Sequence, residues 1–507
     1  MITLKPARRA SVPIVLIQTA DAQQSIDTII KEMNGAAQEA PIMRWDIVRG
    51  LVGLNKAGKT AVANPMVGGD TPELNTQNPV ECLSKLVRLP ERSVVFFMNA
   101  QMFWQGGAAE GVKQGIWNLR DIFKMTRSML ALLAPLGTTL PQELKDDIVS
   151  LIDTLPTEPE ITAIVDGLLK DIAAAPGATL KPDAVEDKPR LVDALLGLSA
   201  FGAEQVFSMS CSKDDIDRLA MWESKKVTIE QTDGLKVCRG KERFADIGGM
   251  DNAKKYLYDV CTGRERMRAI VFIDEIEKAA AGMQGDSTGV SQDQHRQLLT
   301  WMQDRKVAGV LSLGAPGTCK SALAKALGNE VGIPTIELDL GAMKGSLVGQ
   351  SEARLRNALA VIDAISQGKV LVIATCNSVS NLSPELKRRF SLGTFFHPLP
   401  DRAARKKIWA IYLKKFGLEG QAIPDDTGWT GAEIETCCTI AWRLNRTLLA
   451  ASKCFVPVMV SAKEQIEKLC REATNRYVSA ETEGVFVYEP ETQQGEVDKL
   501  ARRAFGN

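Results

Sequence analysis

The residues best suited to chemistry lie in a short glycine-containing segment past the middle of the chain. Its sequence is GAPGTCKS, at positions 314–321, with the apolar run VAGVLSL before it and ALAKALGNEVG after it. A strand, a glycine-rich turn and a helix N-terminus together present backbone N–H groups to phosphate. Lys320 would reach the β and γ oxygens of ATP, and Ser321 would hold Mg²⁺. The predicted nucleotide-binding residues are Gly314, Ala315, Pro316, Gly317, Thr318, Cys319, Lys320, Ser321 and Ala322.

One residue of this segment departs from the usual phosphate-binding pattern. Cys319 stands before the lysine where glycine is expected, and its side chain would crowd a tight turn. We expect a bulky adduct on the thiol to block nucleotide binding. We also expect the helix N-terminus and Lys320 to lower the pKa of the thiol. The alternative is a loop that resembles a phosphate-binding loop by chance, which the flanking strand and helix disfavour.

Two adjacent carboxylates follow another apolar run, in AIVFIDEIEK at positions 269–278. We expect Asp274, at the end of the predicted strand, to bind Mg²⁺ and Glu275 to polarise the attacking water. A third apolar run, KVLVIATCNS at 369–378, leads to Asn377, which could orient the same water. The alternative is that these are ordinary ends of buried strands followed by charged helices.

A second segment satisfies the Gly-x4-Gly-Lys-Thr pattern more completely than the first. GLNKAGKT, at positions 53–60, keeps both glycines, but AVANPMVGGDTP follows it. Because that run contains two prolines and two adjacent glycines, we expect no helix N-terminus there for phosphate. The structural alternative is a solvated loop. We therefore predict one nucleotide per chain, bound through Lys320 and not through Lys59.

Alternating strands and helices are needed to place these residues together. Short apolar runs recur in the first 155 residues, at 12–17, 41–48, 93–98 and 129–135, and strands and helices alternate again from Phe244 to about Pro400. This alternation predicts α/β units with parallel sheets. In a parallel sheet every strand presents its carboxyl end to the same edge, where nucleotides bind.

A chain of 507 residues exceeds the size of a single core, so we expect several domains. The predicted divisions are an α/β domain, a helical part, a charged linker, a second α/β domain and a helical region with a C-terminal tail. Their bounds are 1–155, 156–222, 223–243, 244–400 and 401–507. A Pro/Gly/Ala-rich stretch at 173–182 is predicted to be a loop.

Composition disfavours several classes of function. Lys+Arg and Asp+Glu number 62 each, which leaves no overall field to attract nucleic acid or an acidic membrane surface. The ten cysteines include no CxxC pair, and with only two histidines they disfavour a structural zinc site. No run approaches the roughly 18 apolar residues of a membrane span. We expect a cytoplasmic protein with reduced thiols and no membrane partner.

Several segments resemble the AAA ATPase family of the AAA+ superfamily. FADIGGMDNAKKYL at 244–257 is similar to the entry segment of an AAA module. SLVGQSEARLRNAL at 346–359 resembles the pore loop, and SPELKRRF at 383–390 resembles the arginine-finger segment. HPLPDRAARKKIW at 397–409 is similar to the start of the lid, and TGWTGAEIETCC at 427–438 is similar to the sensor 2 helix of the lid. Within the family the residues most resemble the hypothetical chloroplast reading frame 46 type, in which a degenerate AAA-like domain precedes the active one.

The resemblance implies roles for further residues. Arg389, with Arg388 as the alternative, would be an arginine finger that reaches the nucleotide of a neighbouring subunit. Gly431 and Ala432 would border the nucleotide, with Ala432 where many AAA+ relatives place a sensor 2 arginine. Leu347-Val348 replace the usual aromatic-hydrophobic pair of the pore loop. The resemblance further implies a ring of identical subunits, with six as the family's usual number.

The order of the motifs differs from the AAA pattern. AAA modules run Walker A, Walker B, sensor 1, whereas here Asp274 and Glu275 precede Lys320. We interpret this as a permuted AAA+ module in which the Walker B unit has moved to the front. Its strand must then connect to the Walker A strand past the strand that leads to Asn377, and the helical stretch at 291–306 is long enough for that crossover.

Two functions of different classes remain open. The first is an ATP-hydrolysing, ring-forming motor that remodels or moves a macromolecule, with protein favoured over nucleic acid. The second is a nucleotide-gated scaffold whose hydrolysis is weakened by Cys319. In the N-terminal module the first predicted strand is followed by ADAQQS in place of a glycine-rich turn, and Met98-Asn99 stand where acidic residues would bind Mg²⁺ and water. We therefore expect residues 1–220 to act as a scaffold or partner-binding domain.

Overall fold

The computed structural model describes residues 3–33, 40–174, 188–212, 216–281, 290–343, 350–378 and 384–488. The chain divides into two compact units, Met1–Lys225 and Lys226–Asn507. Each unit contains a largely parallel sheet, so the α/β fold class predicted from the sequence is confirmed. Among the described residues, no helix is both long and apolar enough to cross a membrane.

The first unit has a six-stranded sheet. Its strands are β1 (Ile14–Gln18), β2 (Ile42–Asp46), β3 (Gly50–Gly53), β4 (Val94–Phe97), β5 (Met129–Ala134) and β6 (Val149–Ile152). Its helices are α1 (Lys5–Arg9), α2 (Ala22–Glu32), α3 (Lys56–Val62), α4 (Pro72–Asn75), α5 (Pro79–Leu86), α6 (Ala109–Thr126), α7 (Glu158–Ala174), α8 (Lys188–Leu195) and α9 (Ala200–Ser210). A further helix, α10 (Arg218–Glu230), contains the point of division between the units.

The apolar runs of the first unit form strands because both faces of the sheet are covered. In β1, Ile14 and Leu16 enter the core on one face, and Val15 and Ile17 enter the core on the other. Such continuous apolar runs are typical of parallel strands between two layers of helices. A separate helical cluster, formed by α7, α8 and α9, packs around Phe207.

The second unit has a seven-stranded sheet. Its strands are β7 (Leu235–Val237), β8 (Ala269–Ile273), β9 (Ala308–Gly314), β10 (Thr335–Leu338), β11 (Val370–Cys376), β12 (Thr394–His397) and β13 (Val478–Ser479). Its larger domain contains α11 (Asp251–Thr262), α12 (Ile276–Ala281), α13 (Val290–Asp304), α14 (Lys320–Val331), α15 (Gln350–Ser366) and α16 (Pro384–Arg389). The C-terminal helices are α17 (Arg402–Phe416), α18 (Gly431–Arg443), α19 (Leu448–Ala451), α20 (Val458–Ser461) and α21 (Lys463–Ala473).

The two sheets share one spatial order of strands but differ in chain order. From the antiparallel edge, the first runs β3-β2-β4-β5-β1-β6 and the second β7-β10-β8-β11-β9-β12-β13. In this comparison β9 takes the place of β1, and β8 takes the place of β4. The strands β3 and β4 follow β1 and β2 along the chain, whereas their counterparts β7 and β8 precede β9 and β10. As expected from the crossover argument, β11 lies between β8 and β9.

Residues 223–243 do not form the simple linker that the sequence suggested. The first of them continue α10 to Glu230, and Leu235–Val237 form β7, which pairs antiparallel with β10. The hydrophobic residues of β7 are too few to give a strand signal of their own, and the neighbouring strand supplies its hydrogen bonds. The predicted loop at 173–182 lies outside the described residues from position 175 onward, and its first two residues end α7.

Candidate functional site

The predicted phosphate-binding loop joins the end of β9 to the start of α14. Gly317 has a φ of +80°, and a Cβ on it would lie 2.9 Å from Thr430 Oγ1. Glycine is therefore needed for both the backbone conformation and the close approach. Cys319 also adopts a left-handed conformation, with a φ of +56°. This conformation costs a residue with a Cβ about 1–2 kcal/mol, which explains why glycine is the usual choice at this position.

Lys320 begins α14 and points back into its own loop. Its Nζ donates to the carbonyl oxygens of Gly314 and Ala315, at 2.9 and 2.7 Å. Burial lowers the pKa of this lysine to about 8, and the negative charge of Glu277 is the largest opposing influence. The ammonium group must leave the two carbonyl oxygens to reach a phosphate bound over the loop.

The two predicted Mg²⁺ ligands are in direct contact. Asp274 directly follows β8, and Ser321 is the second residue of α14. Ser321 Oγ donates to Asp274 Oδ1 at 2.8 Å, and Thr375 Oγ1, in β11, donates to the same oxygen at 2.6 Å. The structure thus brings a carboxylate and a hydroxyl together across 47 positions of sequence, with a second hydroxyl beside them.

The predicted water-polarising residues also meet. Asn377 Nδ2 donates to Glu275 Oε1 at 3.1 Å, and Lys278 forms an ion pair with Oε2 of the same carboxylate. Glu275 has a φ of +47°, and its backbone N–H donates to Thr375 Oγ1 at 2.9 Å. A strained backbone of this kind persists only where surrounding contacts hold it, and such positions cluster at functional sites. Here those contacts come from β11.

Gly431 and Ala432 begin α18 and lie against the phosphate-binding loop. The N–H of Ala432 donates to Gly317 O at 3.4 Å, and a Cβ on Gly431 would lie 3.0 Å from Cys319 Sγ. Thr430 caps the helix by accepting from the N–H of Glu433 at 3.3 Å. The structure therefore brings the start of α18 to the loop.

The expectation that the Cys319 thiol is unusually acidic is wrong. Burial raises the pKa of this thiol, the charge of Glu435 raises it further, and both outweigh Lys320. The helix N-terminus and Lys320, which would lower the pKa, can be identified from the sequence. The burial against α18, which raises it, cannot. Since Sγ packs toward Gly431, a bulky adduct would separate the loop from that helix.

The two arginines predicted to act between subunits differ in their surroundings. Arg389 Nη2 donates to Gln303 Oε1, in α13, at 2.6 Å, and it lies 3.7 Å from Glu385 Oε1. Arg388 is exposed on the same short helix. Arg389 is thus held within its own chain, whereas Arg388 faces solvent. The predicted pore-loop residues Leu347-Val348 lie outside the described residues.

Contrary to the sequence expectation, a helix lies at the rival Gly-x4-Gly-Lys-Thr pattern, but this helix, α3, begins inside the pattern at Lys56, before Lys59. Asn55 Oδ1 accepts from the N–H groups of Gly58 and Ile42, at 2.7 and 3.1 Å, so this side chain caps the helix. A Cβ on Gly53 would lie 2.2 Å from the backbone nitrogen of Lys59, which shows that glycine serves close packing there. These contacts give the pattern a structural explanation.

In the first unit a carboxylate stands where the second unit has its phosphate-binding loop. β1 corresponds to β9, and residues 19–21 alone separate it from α2. Asp21 Oδ1 accepts from the N–H of Gln24 at 3.0 Å, and Oδ2 accepts from the N–H of Phe201 at 3.3 Å. The side chain thereby bridges the N-termini of α2 and α9, which are the groups that would otherwise attract phosphate.

A cavity of about 310 Å³ adjoins Asp21 in the first unit. Its lining includes the carboxylates of Asp21, Asp153 and Glu160, together with hydroxyl and apolar side chains. Like charges repel, so carboxylates at this position disfavour a polyphosphate. The three-residue connection also offers no glycine-rich turn.

Sequence reasoning did not single out Thr375 and Glu277, which the structure places in the site. The Thr375 hydroxyl donates to Asp274 and accepts from the N–H of Glu275. Glu277 Oε1 accepts from the N–H of Asn377 at 2.9 Å. The available signals were a threonine in an otherwise apolar strand and a second glutamate in a charged segment, and neither is specific.

Known proteins match both units. Residues 3–152 match the family model "SpoVK-like AAA ATPase, N-terminal domain", and residues 310–366 match "ATPase family associated with various cellular activities (AAA)". The uncharacterized AAA domain-containing protein ycf46 of Trieres chinensis is 24% identical over 452 residues, which cover 80% of each chain. The chain thus contains regions that match AAA ATPase domain models, and it is similar to ycf46-type AAA proteins over most of its length. Its ycf46 relative in Guillardia theta is 23% identical over 521 residues, covering 91% of this chain and 92% of that protein.

A further relative matches a shorter part of the chain. The cell division cycle protein 48 homolog of Archaeoglobus fulgidus is 27% identical over 193 residues, which cover 28% of this chain and 26% of that protein. The match to the AAA family model begins within β9, so β8 and Asp274 precede the matched range.

The residues at the site fit ATP and Mg²⁺. Mg²⁺ prefers oxygen ligands, which Asp274 and Ser321 supply, and it usually shares them with nucleotide phosphates and water. Among the described residues, no group of three or more His, Cys, Asp or Glu side chains is gathered for a metal ion. Asp274 and Ser321 are the residues that would hold the ion beside a nucleotide bound at the loop.

Proposed function

We propose that this protein binds Mg-ATP in its second unit and hydrolyses it to remodel or move a macromolecule, with a protein as the favoured substrate. The convergence of three strand ends carries the proposal. β8 supplies Asp274 and Glu275, β9 leads to Lys320 and Ser321, and β11 leads to Asn377. Such a constellation is what phosphoryl transfer to water requires, because catalysis there consists of positioning and charge stabilisation.

Each residue has a role that its contacts support. Lys320 and the amides of the loop bind the phosphates, and Asp274 and Ser321 hold the Mg²⁺. When bound, Mg²⁺ would neutralise negative charge on the nucleotide phosphates. Glu275 accepts a hydrogen bond from the attacking water, and Asn377 keeps the Glu275 carboxylate oriented.

The second unit is proposed to be a permuted AAA+ module. Support comes from the first unit, whose sheet has the same spatial order with β3 and β4 after β1 and β2. Moving the counterparts β7 and β8 to the front leaves every strand end at the same edge of the sheet. A transposition of this kind changes the connections and preserves the site.

A ring of identical subunits, with six as the expected number, is part of the proposal. It is supported by the family and by Arg388 and Arg389 on α16. A protein substrate is favoured over nucleic acid because the 62 basic and 62 acidic residues leave no net positive charge.

Turnover of ATP tests the proposal. The substitution Glu275→Gln should leave the affinity for an ATP analogue unchanged and reduce phosphate release by a factor of about 10² or more, since only the group that polarises water is lost. Multiple-turnover phosphate release, measured beside calorimetric binding, is the assay. Wild-type turnover in the variant would remove Glu275 from the mechanism.

The second candidate function is a nucleotide-gated scaffold with weak hydrolysis. Cys319 favours it, because its side chain occupies the turn and packs against the lid helix α18. A wild-type chain that assembles on ATP but releases less than one phosphate per site would support this function over the first.

A further inference from the structure

Glu277 is a buried carboxylate that the proposed mechanism does not use. The residue is 7% exposed and lies in the first turn of α12. Its Oε1 accepts from the backbone N–H of Asn377 at 2.9 Å. Its Oε2 is also buried and has no hydrogen-bond partner among the described residues. A buried carboxylate with an incomplete set of hydrogen bonds is costly, so the contacts that it does make are informative.

The contact of Glu277 joins the two segments that carry the water-polarising groups. Glu275 and Glu277 belong to the segment after β8, and Asn377 directly follows β11. One bond between these segments runs from Asn377 Nδ2 to Glu275 Oε1, and another from the Asn377 N–H to Glu277 Oε1. The side chain of Asn377 is therefore aimed at Glu275 from a backbone that Glu277 fixes.

Other roles fit Glu277 less well. A metal ligand or a base for water must face the open site, as Asp274 does, whereas Glu277 is buried. The neighbouring Cys376 is not a charge partner, because burial raises the pKa of its thiol to about 12, and it offers Glu277 only a weak side-chain hydrogen bond. Lys320 is the positive charge that Glu277 influences, since Glu277 raises the pKa of that lysine against the effect of burial. The hydrogen bond to the backbone of Asn377 is the contact that connects Glu277 to the water-polarising groups.

We propose that Glu277 is a positioning residue that holds the backbone of Asn377 and, through it, aligns the Asn377 side chain with Glu275 for hydrolysis. The proposal rests on the proposed ATPase function. It extends that function to a residue that touches neither nucleotide nor metal. A shift of about 1 Å in such a group can cost about 10² in rate without affecting binding.

Two conservative variants separate position from charge. Glu277→Gln keeps the length of the side chain and an acceptor oxygen but loses the charge. Glu277→Asp keeps the charge but is one methylene too short to reach the Asn377 N–H. Glu419→Gln, at an exposed position of the same unit, is the matched control.

Hydrogen exchange of the Asn377 amide and steady-state kinetics together test the proposal. We expect slow exchange in the wild type, in Glu277→Gln and in Glu419→Gln, and faster exchange in Glu277→Asp. The kcat of Glu277→Asp should fall by a factor of about 10² while its KM for ATP stays within about threefold of the wild type, and Glu277→Gln should retain most of the wild-type kcat.

Two results would overturn the proposal. One is wild-type exchange and kcat in Glu277→Asp, and the other is an equal loss of protection and kcat in both variants, which would make the charge the essential property. A wild-type chain without turnover would defeat the ATPase function and this role in it. A protected Asn377 amide would then show that the contact exists and that the failure lies in the assigned chemistry.

Discussion

Cys319 illustrates how one side chain can tune the phosphate-binding loop. Its left-handed backbone is the conformation in which glycine has an advantage, yet its Sγ fills space against Gly431 at the start of α18. The thiol therefore couples the loop to the lid helix. Its raised pKa keeps it neutral at ordinary pH, which makes it a packing group rather than a nucleophile.

The strain at Cys319 can be measured with a pair of substitutions. Cys319→Gly should be more stable than Cys319→Ala by about 1 kcal/mol, because alanine keeps the unfavourable Cβ at positive φ. Chemical denaturation of the intact chain, followed by a probe in the second unit, gives the difference. At Ala322, inside α14, replacement by glycine should instead destabilise by about 1 kcal/mol. The same sign at both positions would contradict the strain argument.

Among the elements, the N-terminus of α2 shows how the first unit can resemble a nucleotide-binding module without a nucleotide site. Asp21 occupies it with a built-in negative charge and also accepts from the first turn of α9. The contact that a phosphate could make between sheet and helices is made by the protein itself.

Removing this carboxylate should loosen both helices. We expect Asp21→Ala to destabilise the first unit by about 1 kcal/mol, as for the loss of an N-cap, and to speed hydrogen exchange in the first turns of α2 and α9. Asp21→Asn should have a smaller effect because it keeps one acceptor oxygen. Asp146→Ala, at an exposed position, serves as the control. Unchanged exchange in α9 would show that the bridge from Asp21 carries no stability.

The sequence predicted the elements whose signals are long and apolar. The runs that became β1, β4, β5, β8, β9 and β11 are buried on both faces, so their hydrophobicity is continuous. By contrast, β6 is largely exposed and β7 has three residues, so neither gives a clear pattern. The prolines and glycines of AVANPMVGGDTP argue against a helix after position 60, but α3 begins earlier, at Lys56, where Asn55 caps it.

The predicted site followed from one rule, that parallel strands end at a common edge. This rule predicts that Asp274, Lys320 and Asn377 lie near one another, but it does not predict the distances between their side chains. The rule does not identify Thr375 and Glu277, because their roles depend on hydrogen bonds between residues about 100 positions apart. The periodicity of the sequence carries no information about such bonds. The acidity of Cys319 was misjudged for the same reason, since burial depends on which helix packs over the loop.

At the scale of the whole molecule, the proposed ring requires that α16 carry an arginine that can reach a neighbouring subunit. An arginine that reaches into a neighbouring subunit must be free to extend, and Arg389 is held by Gln303 and Glu385. Arg388 is exposed and better placed for that role, with Arg389 fixing the helix. We therefore expect Arg388, the alternative from the sequence, to act as the finger.

Substitution of each arginine tests this assignment. Removal of a finger can lower turnover by a factor of about 10³, so we expect that loss for Arg388→Ala and a smaller one for Arg389→Ala, with ATP binding intact in both. Mixed rings of Arg388→Ala and Glu275→Gln subunits should regain part of the activity, because some interfaces then carry both wild-type groups. Mixed rings that form without any recovery would count against a shared site.

We expect the second unit alone to bind nucleotide. Its loop combines strand, turn and helix N-terminus, whereas in the first unit Asp21 occupies the corresponding position and Asn55 caps the helix of the rival pattern. Calorimetric titration of the intact chain with a non-hydrolysable ATP analogue tests this most directly. We predict one nucleotide per chain, with binding abolished by Lys320→Ala and unchanged by Lys59→Ala. Two nucleotides per chain, or loss of binding in Lys59→Ala, would contradict the account.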